Sequence, residues 1–117
     1  MREPIRDKGR LEHILECINN IDEFIQNKTV SEIIDDKMCY FAIVKNIEII
    51  GEASFKLTEE FRKKHTSTPW NYIIKMRHVL VHDYYQISSS EVISVISKDL
   101  QPLKKQIEEY ILELENL

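Results

Sequence analysis

Apolar residues recur at three- and four-residue steps through most of the chain, the period of helices rather than strands. Leu11, Ile14, Leu15, Ile18, Ile21 and Ile25 form one stripe over residues 6–26, and Arg10, Glu12, Glu16, Asn19 and Glu23 fill much of the rest, as a solvated face does. Thr29 and Glu32 have the spacing of a capping box and open a short helical segment over residues 30–34. Asp35 or Asp36 caps the next helix, which spans residues 37–57 and carries Tyr40, Phe41, Ile43, Val44, Ile47, Ile49 and Ile50. Its apolar arc is wider than that of the first helix, so it is the central, most buried one. The β-branched IEII run has strand character, but the length of the unbroken pattern decides for helix.

Gly51 sits inside that run, where glycine costs about 0.5–1 kcal/mol relative to alanine. With Ala53 and Ser54 it makes a small patch that lets a neighbouring helix come close. Thr58 caps a short continuation through Phe61, closed by the basic RKKH run. Thr68 followed by Pro69 marks a helix start, with the cap residue and then proline in the first turn. The third long helix therefore covers residues 69–82, with Trp70, Ile73, Ile74, Val79, Leu80 and Val81 on its apolar side. Ser88 and Glu91 form a second capping box. Val92, Val95, Ile96, Leu100, Leu103, Ile107, Ile111 and Leu114 then follow at helical steps. Pro102 is expected to kink or break this last helix near Leu100 or Gln101. The sum is an all-α, four-helix up-and-down bundle with short extra turns, forming one domain over residues 1–117.

Composition supports this without redirecting it. Two glycines and three prolines in 117 residues leave little turn material. With 43% hydrophobic and 31% charged residues the chain is of globular type. No apolar run approaches the roughly 20 residues of a membrane span, and no signal-peptide pattern opens the chain. Cys17 and Cys39 lack CxxC spacing and are expected as reduced thiols, which fits a cytoplasmic protein. The net charge of −4 disfavours a broad nucleic-acid surface. Yet Lys56, Arg62, Lys63, Lys64, Lys75 and Arg77 concentrate positive charge in residues 56–82, while Glu108, Glu109, Glu113 and Glu115 make the C-terminal stretch acidic.

The chemistry gathers in residues 70–85, WNYIIKMRHVLVHDYY. Histidine exchanges protons near neutrality, so His82 is a candidate acid–base, or else a capping or core-satisfied residue. The planar fork of Arg77 matches two phosphate oxygens; alternatively it is bridged to Glu52 or Asp83. Together, an arginine and a histidine suggest phosphodiester chemistry without a metal. His78 and His82, four apart, are also a pair with metal-ligand spacing, for which Glu52 or His65 would have to supply a third ligand. Tyr84 and Tyr85 offer a loop anchor or a stacking surface. At about 100° per residue, Arg77 and His82 lie some 140° apart on a straight helix. For both to serve one site, the helix must end near His82 or a second copy of the chain must contribute.

These residues resemble the HepT-like toxins of the HEPN superfamily, ribonucleases of bacterial and archaeal toxin–antitoxin pairs. The resemblance runs through DKGRLEHILECINNI, KNIEIIGEA, the Pro69–Trp70 pair, MRHVLVHDYY and DLQPL. Its sharpest element is Arg77, four residues, His82, one residue, Tyr84, matching an R-x4-H-x-Y motif. The resemblance implies that Arg77 and His82 are catalytic and Tyr84 is the motif tyrosine; Glu52, beside the small patch, and His78, beside Arg77, are candidate supporting residues by their own chemistry and position. It implies RNA as substrate, no cofactor and no metal, and a homodimer whose motifs meet in a composite cleft. It implies a partner too, a minimal nucleotidyltransferase antitoxin that adds AMP to Tyr84. Many members carry asparagine where this chain has His78, and arginine where it has Lys45. The rival expectation is a catalytically silent helical module that binds RNA or the nucleotidyltransferase.

Overall fold

The structure, a computed structural model, describes residues 2–82 and 88–117, with side chains from Arg6 onward. Seven α-helices are defined among them: α1 (Arg2–Ile25), α2 (Val30–Asp35), α3 (Lys37–Lys56), α4 (Glu59–Lys64), α5 (Trp70–His82), α6 (Ser89–Ser94) and α7 (Leu100–Glu115). The arm from α6 to α7 is continuous through a π-helical turn, Val95–Asp99. No strand occurs among the described residues, and the fold is the all-α bundle that the periodicity predicts.

The chain's own caps set the element ends. Asn27 takes a left-handed conformation (φ 61°) just after α1, a backbone state asparagine tolerates, and this stops the helix. Thr29 and Glu32 complete the capping box in both directions at α2. Asp36 accepts from the Cys39 N–H at the start of α3, and Thr58 Oγ1 accepts from the Phe61 N–H at the start of α4. Ser88 Oγ accepts from the Glu91 N–H at α6.

Thr68 departs from its expected role. Its side chain is buried and turned inward, donating to Gln106 Oε1 at 2.7 Å and meeting the Tyr110 hydroxyl. Pro69 O instead accepts the first hydrogen bond of α5, from the Ile73 N–H. Two polar groups of α7 need partners at this depth, and that need outweighs the cap. Pro102 does not break its helix. It has no N–H to give the Lys98 carbonyl and its ring crowds that oxygen. The helix absorbs this one turn upstream, where the Leu100 N–H reaches back five residues to the Val95 carbonyl.

The long helices alternate in direction. Asp7 near the start of α1 meets Thr58 just beyond α3, and Asn20 meets Asn46, so α1 and α3 are antiparallel. Thr68 and Trp70 lie by Tyr110, whereas Tyr72 lies by Asp99, so α5 and α7 are antiparallel. Gln101 and Lys104 on α7 both bond Asp22 on α1 and close the bundle. Leu11, Ile14, Ile18, Ile21, Ile43, Leu57, Leu100 and Ile107 are almost wholly enclosed, each stabilising by roughly 1.5–3 kcal/mol of burial. Cys17 and Cys39 are free and buried. Burial, with the Glu16 charge beside it, pushes the Cys17 thiol up to about 11, so it is an inert core residue.

One buried carboxylate fastens the bundle. Asp7 accepts from the Thr58 N–H at 2.8 Å and from Thr58 Oγ1 at 2.7 Å, joining α1 to the α3–α4 corner. Asp7→Ala leaves two donors unsatisfied and is expected to cost about 2 kcal/mol in urea unfolding. An unchanged midpoint would show that Thr58 finds water there at no loss.

Candidate active site

The site is built on the seam between α3 and α5. Gly51 is the point of closest approach: a Cβ placed on it would collide with the Cβ of Arg77 and come within 3.0 Å of the Ile73 carbonyl oxygen. Only glycine lets the two backbones meet there. Arg77 is thereby seated in the seam, half-buried, with its Nε enclosed and without a hydrogen-bond partner. Among the described residues it forms no ion pair. Glu52, next to Gly51, is paired instead with Lys56 on its own helix at 3.4 Å, a half-exposed contact of small energetic weight. The expected alternative of an Arg77–Glu52 bridge is therefore not what the structure contains.

The remaining motif residues of α5 point elsewhere. Asn71, Lys75, His78 and His82 are exposed and fall within about 60° of one another around the helix. The His78 and His82 rings are 4.6 Å apart, centroid to centroid. His65 is remote from both: its Nε2 meets Glu113 Oε2 at 2.6 Å, its Nδ1 faces the Phe61 carbonyl, and its ring stacks on Phe61. No group of three or more His, Cys, Asp or Glu with metal-holding geometry is present among the described residues. Asp83, Tyr84 and Tyr85 lie outside the described residues.

Arg77 and His82 thus occupy one continuous helix, on different sides of it. Ile43, Ile47 and Ile50 lie to one side of the Gly51 line on α3, and Phe41, Glu48, Glu52 and Phe55 to the other. On α5, Ile73, Met76 and Leu80 lie to one side of Arg77, and Ile74, His78 and Val81 to the other. Because α3 and α5 are antiparallel, their two outer sets form one surface turned away from the core. That surface carries exposed apolar residues at the His82 end, Met38, Phe41 and Val81.

The model of the HepT-like ribonucleases ("Ribonuclease HepT-like") matches residues 14–110, which include Arg77 and His82, and the chain belongs to that family. It is 34% identical over 101 residues to "Putative RNase MJ1380" of Methanocaldococcus jannaschii, covering 86% of this chain and 93% of that one. It is 33% identical over 101 residues to "Probable ribonuclease HepT" of Thermococcus cleftensis, covering 86% and 92%. A longer M. jannaschii protein, "Gamma-glutamylcyclotransferase and putative RNase MJ0434", is 36% identical over 105 residues; this chain spans 47% of its length. No solved structure matches the chain.

Sequence reasoning singled out Arg77, His78, His82 and Glu52; the structure seats Arg77 in the seam beside Gly51, leaves Glu52 paired with Lys56 on the outer side of α3, and sets the two histidines on one face. It did not single out Arg62, whose Nε is also enclosed and unpartnered and whose guanidinium lies 6.0 Å from the Phe55 ring centroid. The available signal was a basic run at the end of a helix too short to need three cations.

Proposed function

We propose that the protein is a metal-independent endoribonuclease acting as a symmetric dimer, the toxin of a pair whose nucleotidyltransferase antitoxin silences it by adding AMP to Tyr84. The observation that carries this reading is Arg77: an arginine seated in a glycine-lined seam, without an ionic partner among the described residues, on the same helix as an exposed histidine in a HepT-like chain. A cation held half-buried, with no carboxylate of the described residues upon it, is poised for an incoming anion, because part of its desolvation is already met. The dimer is supported by the divergence of Arg77 and His82 around α5, and by the exposed Met38, Phe41 and Val81 on the motif face.

In this mechanism His82 takes the proton from a ribose 2′-hydroxyl, or gives one to the leaving 5′-oxygen. Arg77 stabilises the charge that develops on the non-bridging oxygens. The 2′-oxygen attacks phosphorus, the bond to the 5′-oxygen breaks, and a 2′,3′-cyclic phosphate remains. His78 and Glu52 flank the two catalytic residues in supporting positions. An AMP group on Tyr84, two residues beyond His82 in the sequence, would add a phosphate to the motif and repel the RNA backbone.

The test is incubation of purified, unmodified protein with RNA and with DNA in EDTA. RNA cut to cyclic-phosphate ends, with DNA intact, is the expected result. Cleavage that stops in EDTA and returns with a divalent cation would refute metal independence. RNA bound but never cut would favour the silent binding module.

A further inference from the structure

Among the described residues, two arginines have an enclosed Nε with no hydrogen-bond partner, Arg77 and Arg62. Neither forms an ion pair among the described residues. Glu59, the carboxylate one turn before Arg62, is taken by Lys63 at 3.0 Å. Arg62 leans instead on the exposed ring of Phe55, its guanidinium carbon 6.0 Å from the centroid. Phe55 is four residues, about 6 Å of helix, beyond Gly51, where Arg77 is seated. The stem of Arg77 and the guanidinium of Arg62 therefore lie against successive turns of α3.

Beside Arg62, an open cleft of about 550 Å³ lies at the α4–α5 junction, lined among others by Lys63, Thr66, Trp70, Asn71 and Tyr72. Glu59 also lines it, so its three charged residues sum to one net positive charge, on a chain of net charge −4. Asn71 shares the exposed line of α5 with His78 and His82, about 10 and 16 Å further along the axis. A strand lying on that line at the histidines reaches the cleft at Asn71.

We propose that Arg62, held on the Phe55 ring at the mouth of this cleft, binds a backbone phosphate of the RNA strand flanking the scissile bond. The proposal rests on the ribonuclease reading for the identity of the strand. Burial of Nε leaves the terminal nitrogens as the working fork, the geometry that grips two phosphate oxygens. Its place over the Phe55 ring holds the side chain beforehand, so less rotamer freedom is lost on binding. Trp70 and Tyr72 belong to the walls: Trp70 is buried with its indole N–H donated to the His65 carbonyl, and the Tyr72 hydroxyl is turned to Asp99. The Arg62 contact is to the backbone and carries no base preference.

The experiment compares wild type, Arg62→Gln and Arg62→Lys. Glutamine keeps most of the stem over Phe55 without the charge, and thermal melting confirms that each variant folds. For a short single-stranded RNA, Arg62→Gln is expected to weaken binding about tenfold. It is also expected to reduce the slope of log Kd against log salt by about 0.7, the share of one phosphate contact, while Arg62→Lys keeps the slope. In cleavage, Arg62→Gln raises KM for the oligonucleotide with kcat unchanged, and leaves cleavage of a dinucleotide untouched because that substrate does not reach the cleft. A purely structural arginine would lower both substrates alike and leave the salt slope unmoved, and that result overturns the subsite. Normal RNA binding by Arg62→Gln, or no RNA binding by wild type, overturns it as well. Wild-type binding that depends on Arg62 without any cleavage overturns the ribonuclease reading and leaves the subsite standing.

Discussion

His82→Ala is expected to lower RNA cleavage about 10²–10⁴-fold, the usual contribution of a positioned acid–base group, while the protein still folds. The two parts of that expectation come from one observation. His82 is exposed in the last turn of α5 and takes no part in the enclosed core, so its loss removes chemistry without opening a cavity. Melting curves and cleavage rates measured on the same preparation separate the two. Full cleavage by a folded His82→Ala protein would remove this residue from the reaction and turn attention to His78, whose ring is 4.6 Å away.

Gly51→Ala is expected to be the more damaging change to the fold. The added methyl would fall on the Cβ of Arg77 and close to the Ile73 carbonyl oxygen, atoms tied to the backbone of α5 that no side-chain rotation can move aside. The helices must separate, at a cost of about 1–3 kcal/mol for an overpacked contact, out of a typical total stability of about 5–15 kcal/mol. Arg77 then leaves its seat. Cleavage should therefore fall in the fraction of protein that remains folded, beyond what the lower urea midpoint explains. A variant with unchanged midpoint and full activity would show that the seam has slack and that the seat of Arg77 does not matter.

The fold was legible in the sequence because its information is periodic and local. Four long apolar patterns became the four arms of the bundle, and Thr29, Asp36, Thr58 and Ser88 capped where their spacing indicated. Gly51 was legible as a cost inside a helix that some close approach had to justify, and the partner in that approach is Arg77. What could not be read were choices settled by tertiary competition. Thr68 has a cap residue's position, yet α7 supplies Gln106 and Tyr110 as stronger claims on its hydroxyl. Pro102 announces a disturbance but not its form, a π turn that keeps the arm whole. At the candidate site, the motif singled out Arg77 and His82, while the pairing of Glu52 with Lys56 and the resting of Arg62 on Phe55 depend on which rotamers the packed surface leaves open. No periodicity encodes those.

The proposed site needs Arg77 and His82 together, although α5 turns them to different sides of one helix. The most direct measurement mixes two inactive proteins, Arg77→Ala and His82→Ala, under conditions that exchange subunits, and follows RNA cleavage in EDTA. If each site takes its arginine from one copy and its histidine from the other, a mixed dimer contains one intact pair and one doubly broken pair. Cleavage should then reappear, at up to half the wild-type rate per mixed dimer. If both residues act within a single chain, every pair in the mixture is broken, and continued silence from confirmed mixed dimers would contradict the composite site.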